Sequence, residues 1–303
     1  MSAFYKPLLI TLLSVNFFAC YSQDTLIYPV FKKENAFSWQ KIEKKVPKVI
    51  VTKFIKDNAD DFEMYGSSDV SIEPIDSLYP HLHFLDLNND GLNDVIFEGH
   101  NGGEAEEVEI YVATKKGYMI AFKDMQGIEK IDWENNKIKK LYIHDWGCCD
   151  DYDDFKKIYT VEFDDKGMPV FTQTFQGVTI DGAPQPDSLF EKQFRFQVLN
   201  DNYKIRSSPV IDDTSYQRWN TDSTADATGN GYGNIVAKLS ENAQGTAIGW
   251  HTDNTGREWW YVNIDTKYKP LKNYLYDDGE YSKANKFPTK IIGWISSRFV
   301  KKL

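Results

Sequence analysis

Cysteine is nearly absent: Cys20, Cys148 and Cys149 are the whole complement of a 303-residue chain. Three cysteines, two of them adjacent, cannot build a disulfide framework, so a core must hold the fold. The adjacent pair in "GCCDD" is either a vicinal disulfide, which needs a strained eight-membered ring, or two packed free thiols. Positive charge is also in short supply. Lys and Arg number 35 against 45 Asp and Glu, and the net charge of -10 argues against nucleic-acid binding, which needs clustered cations to release counterions. A cationic partner suits the chain better. Sustained helical periodicity is missing, which makes helix a minority. So are catalytic signatures: there is no G-x-S-x-G or H-E-x-x-H, and no His between 145 and 250 to serve Cys148 as a base.

Aromatic residues are abundant. They make up 15% of the chain against 26% charged residues, a balance that can bury a real core. The length suits about two domains of roughly 100 to 200 residues each. The N-terminus, "MSAFYKPLLITLLSVNFFACYSQDT", has one Lys, an apolar stretch from Leu8 to Ala19 and a small, polar boundary. That pattern predicts a secretory signal peptide over 1–22, too short to span a bilayer as a mature helix. Ala19-Cys20 resembles a bacterial lipoprotein cleavage site, although Phe17 and Phe18 stand where that motif prefers Leu and a small residue. Cleavage near Ser22 or Gln23 is the alternative. The protein is therefore expected to be exported to the periplasm, outer membrane or cell surface, with membrane contact only through a lipid anchor at Cys20.

Beyond the leader, β-branched and aromatic residues recur at strand spacing. The segments are "KVPKVIVTKFIK", "SLYPHLHFLDL", "DVIFEG", "VEIYVAT", "YMIAF", "KKLYIHD", "KKIYTVEFD" and "MPVFTQTF", separated by turn residues as in "ENNK" and "DDKG". Residues 23–200 read as one β-rich domain. "YKIRSSPVI", "NIVAKLS", "QGTAIGWHTD", "REWWYVNID" and "IIGWISSRFV" continue the pattern in a second domain over 201–303, with a long polar loop at 212–234.

Between two of these strands lies "LDLNNDGLND". Asp86, Asn88, Asp90, Gly91 and Asp94 stand at positions 1, 3, 5, 6 and 9 of a loop, and Leu92 at position 7 can offer its carbonyl. Alternating oxygen side chains around a Gly bend collect a hard cation such as Ca2+. An EF-hand would need Glu where Phe97 stands and helices on both flanks, so a strand-loop-strand site is expected; the plain alternative is an Asx-rich turn. The loop resembles the D-x-[DN]-x-D-G-x-x-D unit of FG-GAP/VCBS repeats in integrin-type propellers and secreted bacterial proteins. The resemblance implies Ca2+ held by the side chains of Asp86, Asn88, Asp90 and Asp94 and the carbonyl of Leu92. A single copy does not imply a propeller.

Other clusters speak less clearly. Eight acidic residues and no Lys or Arg lie between Asp86 and Glu109, and Glu107 and Glu109 are expected on a solvated strand face. "HDWGCCDDYDDF" gathers His144, Cys148 and Cys149 with four Asp after Gly147, but lacks zinc-type ligand spacing. His81 and His83 are the residues that could complete such a site.

Toward the C-terminus, Arg206, Ser207 and Pro209, then Gly245, then Trp259 to Val262, then Gly293 to Val300 follow in an order similar to bacterial SH3-like domains. The departures are the 212–234 loop and an insertion before "KIIGWI". This resemblance implies a small β-barrel with an aromatic groove for extended peptides. Trp259, Trp260 and Trp294 are its candidate ligand-binding residues, with one of the neighbours Trp259 and Trp260 facing inward and the other outward.

The expectation is thus a mostly β protein: an N-terminal β domain with a calcium loop, then an SH3-like barrel. Its expected role is non-enzymatic binding or scaffolding at the bacterial envelope, with a peptide, glycan or protein ligand. A cell-wall hydrolase with a site near His144, Cys148 and Cys149 is the alternative, and no residue is assigned a catalytic role.

Overall fold

The computed structural model describes residues 38–58, 78–100, 106–125, 127–146, 152–215, 217, 232–275 and 288–303. Cys148, Cys149 and the 1–22 leader lie outside them. Strands dominate, with one α-helix among the described residues, α1 (Lys48–Asp57). A four-stranded antiparallel sheet runs in order β1 (Leu82–Leu85), β2 (Asp94–His100), β3 (Glu106–Thr114) and β4 (Gly117–Met125). The loop 86–93 is thus the β1–β2 connection.

The second sheet is larger and mixed. β5 (Gly127–Glu134), β6 (Lys137–Trp146), β7 (Asp153–Phe163) and β8 (Pro169–Ile180) form an antiparallel meander. β9 (Ser188–Val198) pairs instead with β12 (Gln244–Thr252), and β12 with β13 (Glu258–Ile264). β15 (Lys290–Ser296) joins the two groups, antiparallel to β13 and parallel to β8 at Lys290↔Gly177 and Ile291↔Val178. β10 (Tyr203–Arg206), β11 (Ile235–Leu239), β14 (Lys272–Asn273) and β16 (Val300–Lys302) complete the edges. The pairings among the described strands do not close into a barrel. β15 is shared between β13, β8 and a single β10 pair, Arg206↔Trp294, so the sheet branches.

"KVPKVIVTKFIK" is a helix rather than the expected strand. Pro47 is its N-cap, and Val51, Phe54 and Ile55 fall on one buried face at helical spacing. That face packs with Phe84, Val95, Phe97 and Tyr111 on one side of the small sheet. The opposite side, with Leu85, Ile96, Val108 and Ile110, packs against Ile131, Leu141 and Ile143 of the meander. The small sheet is therefore covered on both faces, which is why β1 is buried at every position.

Two further cores lie on the large sheet. Trp259, Tyr261, Ile292 and Trp294 meet Tyr142, Ile158 and Phe175 in one. Trp260, Val262 and Ile295 join Phe196, Val198 and Ile205 in the other. Close strand approach needs glycine at two points. A Cβ on Gly177 would stand 2.3 Å from Ile292 Cδ1, and one on Gly245 would stand 2.2 Å from the Asn263 carbonyl oxygen.

Candidate functional site

Three places carry concentrated polar chemistry. The first is the β1–β2 loop. Asn89 (φ 59°) and Gly91 (φ 84°) take left-handed conformations that turn the chain sharply. The Asp86 carboxylate accepts the N–H of Asp90 at 3.0 Å and of Gly91 at 3.1 Å. Asn88 Oδ1 accepts from Asp90 N at 3.2 Å, and Asp90 Oδ1 from Leu92 N at 2.8 Å. Asp94, fully buried at the start of β2, accepts from Leu87 N at 2.7 Å and Ala113 N at 2.8 Å. Burial pushes its pKa up to about 6; the two N–H donors lower it, and the nearby Asp90 and Asp86 charges raise it further.

Asp86, Asn88, Asp90 and Asp94 are thus brought to one loop, with Leu92 on its exposed side at 40% accessibility. The donor set, three carboxylates and an amide oxygen, suits a hard cation. Lys44 Nζ already lies 3.4 Å from Asp86 Oδ2, which also accepts from Gly91, while the other carboxylate oxygens each accept one N–H and keep lone-pair capacity. The side chains do not form a closed cage. Asn88 Nδ2 donates to Asp90 Oδ2 at 3.1 Å, and no group of three His, Cys, Asp or Glu side chains is poised to hold a metal among the described residues. A cation would have to displace the Asn88–Asp90 bond.

The second place is the strand pair β6–β7. Lys157 Nζ lies 2.8 Å from both Asp124 Oδ1 and Asp145 Oδ2, and Tyr159 donates to Asp124 Oδ2 at 2.6 Å. Burial opposes the Lys157 charge, but the two carboxylates outweigh it and hold its pKa above the ordinary value. Burial pushes Asp145 up, and Lys157 offsets part of that rise. Across the register, His144 Nε2 lies 2.7 Å from Asp154 Oδ1, and Lys156 Nζ 3.1 Å from Asp154 Oδ2. Apart from Asp124, which comes from β4, the two sets are built from neighbouring residues of β6 and β7, whose side chains alternate in direction. His81 and His83 serve elsewhere: His81 Nδ1 meets the Glu98 carbonyl at 2.8 Å, while His83 stacks on Trp39 and pairs with Glu43. Glu109 is not solvated. It is 2% exposed and bonds Lys123 and the Tyr111 hydroxyl.

The third place surrounds Trp259. Trp259 and Trp260 do point to opposite faces of β13, but neither reaches solvent freely: they are 1% and 9% exposed. The outward expectation fails because both faces of this sheet are packed. Trp260 sits edge-on to Phe194 at 5.0 Å, and Trp294 edge-on to Tyr261 at 5.1 Å, its Nε1 donating to the Pro184 carbonyl at 3.0 Å. Trp259 Nε1 donates to Asp253 Oδ2 at 2.9 Å. Asp253 also accepts from Thr255 and from the Arg257 N–H, and these bonds, those of Thr255 and Trp259 foremost, hold its carboxyl well below the usual range. The β12–β13 turn therefore fixes both Arg257 and Trp259.

One edge of Trp259 reaches a cleft of about 290 Å3. Its wall includes Tyr203, Arg206, Arg257, Arg298 and Phe299, none of which sequence reasoning named as ligand-binding, although Arg206, Arg298 and Phe299 fall within the SH3-like motif segments. Comparison with protein-family models, with curated proteins and with solved structures gave no match.

Proposed function

We propose that this is an exported, non-enzymatic binding or scaffolding protein of the bacterial envelope, with Ca2+ fastening the β1–β2 loop. The observation behind the calcium reading is Asp94. It is a carboxylate without exposure, next to Asp86 and Asp90, and no cationic side chain contacts Asp94 or Asp90 among the described residues. A buried anion with like-charged neighbours is costly; Lys44, 3.4 Å from Asp86, offsets one of the three charges, and a divalent cation would supply the rest. Asp86, Asn88, Asp90 and Asp94 would hold it by side chain and Leu92 by carbonyl.

The binding role is supported by the resemblance of 201–303 to SH3-like modules and by the cleft at Trp259. Export is the reading of the leader alone. Among the described residues no helix is long and apolar enough to cross a membrane. The ligand class is an envelope peptide, glycan or protein.

The test is a thermal melt in excess EDTA, then with millimolar Ca2+, beside Asp90→Ala. Ligand at about 100 times its Kd stabilises the folded state by about 2.7 kcal/mol. A rise in Tm with Ca2+ in wild type, and little rise in the variant, is expected. Coinciding melts would leave the loop an Asx turn and remove calcium from the reading.

A further inference from the structure

Neither the acidic loop nor the aromatic cores account for the cleft beside Trp259. In a chain of net charge -10, Lys204, Arg206, Arg257 and Arg298 line this one cavity. Two of them are already engaged. Lys204 Nζ and Arg206 both bond Asp213, at 2.7 and 2.6 Å. Arg206 also donates to the Asp212 carbonyl at 2.7 Å and Asn234 Oδ1 at 2.8 Å, so it braces the wall rather than offering a free hand. Asp201, the carboxylate on the lining, accepts the N–H of Glu241 at 2.8 Å.

Arg257 and Arg298 differ. Neither guanidinium has an acidic partner among the described residues, and Arg257 Nε is buried with no hydrogen-bond acceptor. The Arg257 guanidinium lies over the Trp259 ring, 5.6 Å from its centroid, on a turn that Asp253 holds. An unsatisfied buried donor is costly to keep, and a guanidinium presents a planar fork that matches a carboxylate with two parallel bonds. Beside it the wall is apolar. Tyr203 and Phe299 meet at 6.3 Å, and Phe299 and Ile211 stay 49% and 54% exposed. The volume is near the lower end of the roughly 300 to 1,000 Å3 usual for ligand sites, which limits the guest to about one residue-sized body.

We propose that this cleft binds a carboxylate carried on a small apolar or aromatic body, with Arg257 donating to the carboxylate and Arg298 adding a second positive charge. Phe299, Tyr203 and Ile211 cover the apolar part. The assignment rests on the reading of the chain as a binding protein and is independent of calcium, so titration in EDTA separates the two.

The experiment is calorimetric titration of the full chain, in EDTA, with N-acetyl-L-phenylalanine, its amide and phenyl phosphate. The acid is expected to bind and the amide to bind at least about tenfold more weakly, since the amide forfeits the charge-assisted pair. Arg257→Ala is expected to weaken the acid by a similar factor with an unchanged melt. Should Arg257→Ala fail to fold, Arg257→Lys and Arg298→Ala carry the test, each expected to weaken the acid and spare the melt. Equal binding of acid and amide, no heat from the acid up to about 20 mM, or unchanged binding in the folded Arg variants would overturn the proposal. Tighter binding of phenyl phosphate than of the acid would overturn the assignment to a carboxylate.

Discussion

Asp94 links the pH dependence of stability to the loop it closes. In the folded chain burial raises its pKa to about 6, against an ordinary 3.8. A raised carboxylate pKa means that the folded state binds the proton more tightly than the unfolded state. Without metal, the charge therefore destabilises the fold above about pH 6, and the burden is relieved as pH falls from 6 toward 3.8. The full separation corresponds to about 3 kcal/mol at about 1.4 kcal/mol per pH decade, of which about 1.4 kcal/mol is recovered between pH 7.5 and pH 5. Other carboxylates titrate in the same interval, so the difference between wild type and Asp94→Asn isolates this one. Asn cannot accept from both Leu87 and Ala113, and its lost acceptor costs about 1 to 3 kcal/mol at every pH. Urea denaturation in EDTA at the two pH values should show wild type gaining about 1.4 kcal/mol relative to the variant on acidification. Parallel changes in the two proteins would refute the argument. With saturating Ca2+ the sign reverses, because the metal requires the ionised form, and its stabilisation should fade below about pH 6.

Two further outcomes test the packing. Lys157→Met removes the single cation between Asp124 and Asp145 and leaves both carboxylates with a poorly solvated charge; a loss of about 3 to 5 kcal/mol in urea denaturation is expected, and a loss below about 1 kcal/mol would show that water reaches the pair. Gly245→Ala drives a methyl group onto the Asn263 carbonyl, a backbone atom that cannot swing aside. The unfolding free energy should fall by about 1 to 3 kcal/mol, whereas Gly256→Ala, with no atom within 4 Å but a positive φ of 75°, should lose less.

The strands from β6 to β8 were legible because their β-branched and aromatic runs are long and bounded by turns. β5 was not, since bulges at Ile128/Lys130 and Asp132/Trp133 break its alternation. α1 was misread because Val49, Ile50 and Val51 look like strand residues. Val49 is 71% exposed, and the helix is fixed by the face that Val51, Phe54 and Ile55 press onto the small sheet. Alternation on β13 was read correctly, but sequence cannot say that both faces of a sheet are covered. The loop was legible because its polar residues lie close together in the chain, from Asp86 to Asp94. Arg257 was hidden for the opposite reason: a guanidinium on a turn reads as solvated until segments near 203, 211 and 299 are folded around it.

The parallel seam between β8 and β15 sets a timetable. Gln176 bonds Thr289 at 2.8 Å across 113 residues of chain, so Phe175 waits for its Trp259, Tyr261 and Ile292 neighbours until the last strands emerge. At about 5 to 20 residues per second, that interval is roughly 5 to 20 s of synthesis with an aromatic face uncovered. Protection of that face during chain growth, rather than the strength of the finished core, would then govern how much folded protein is recovered.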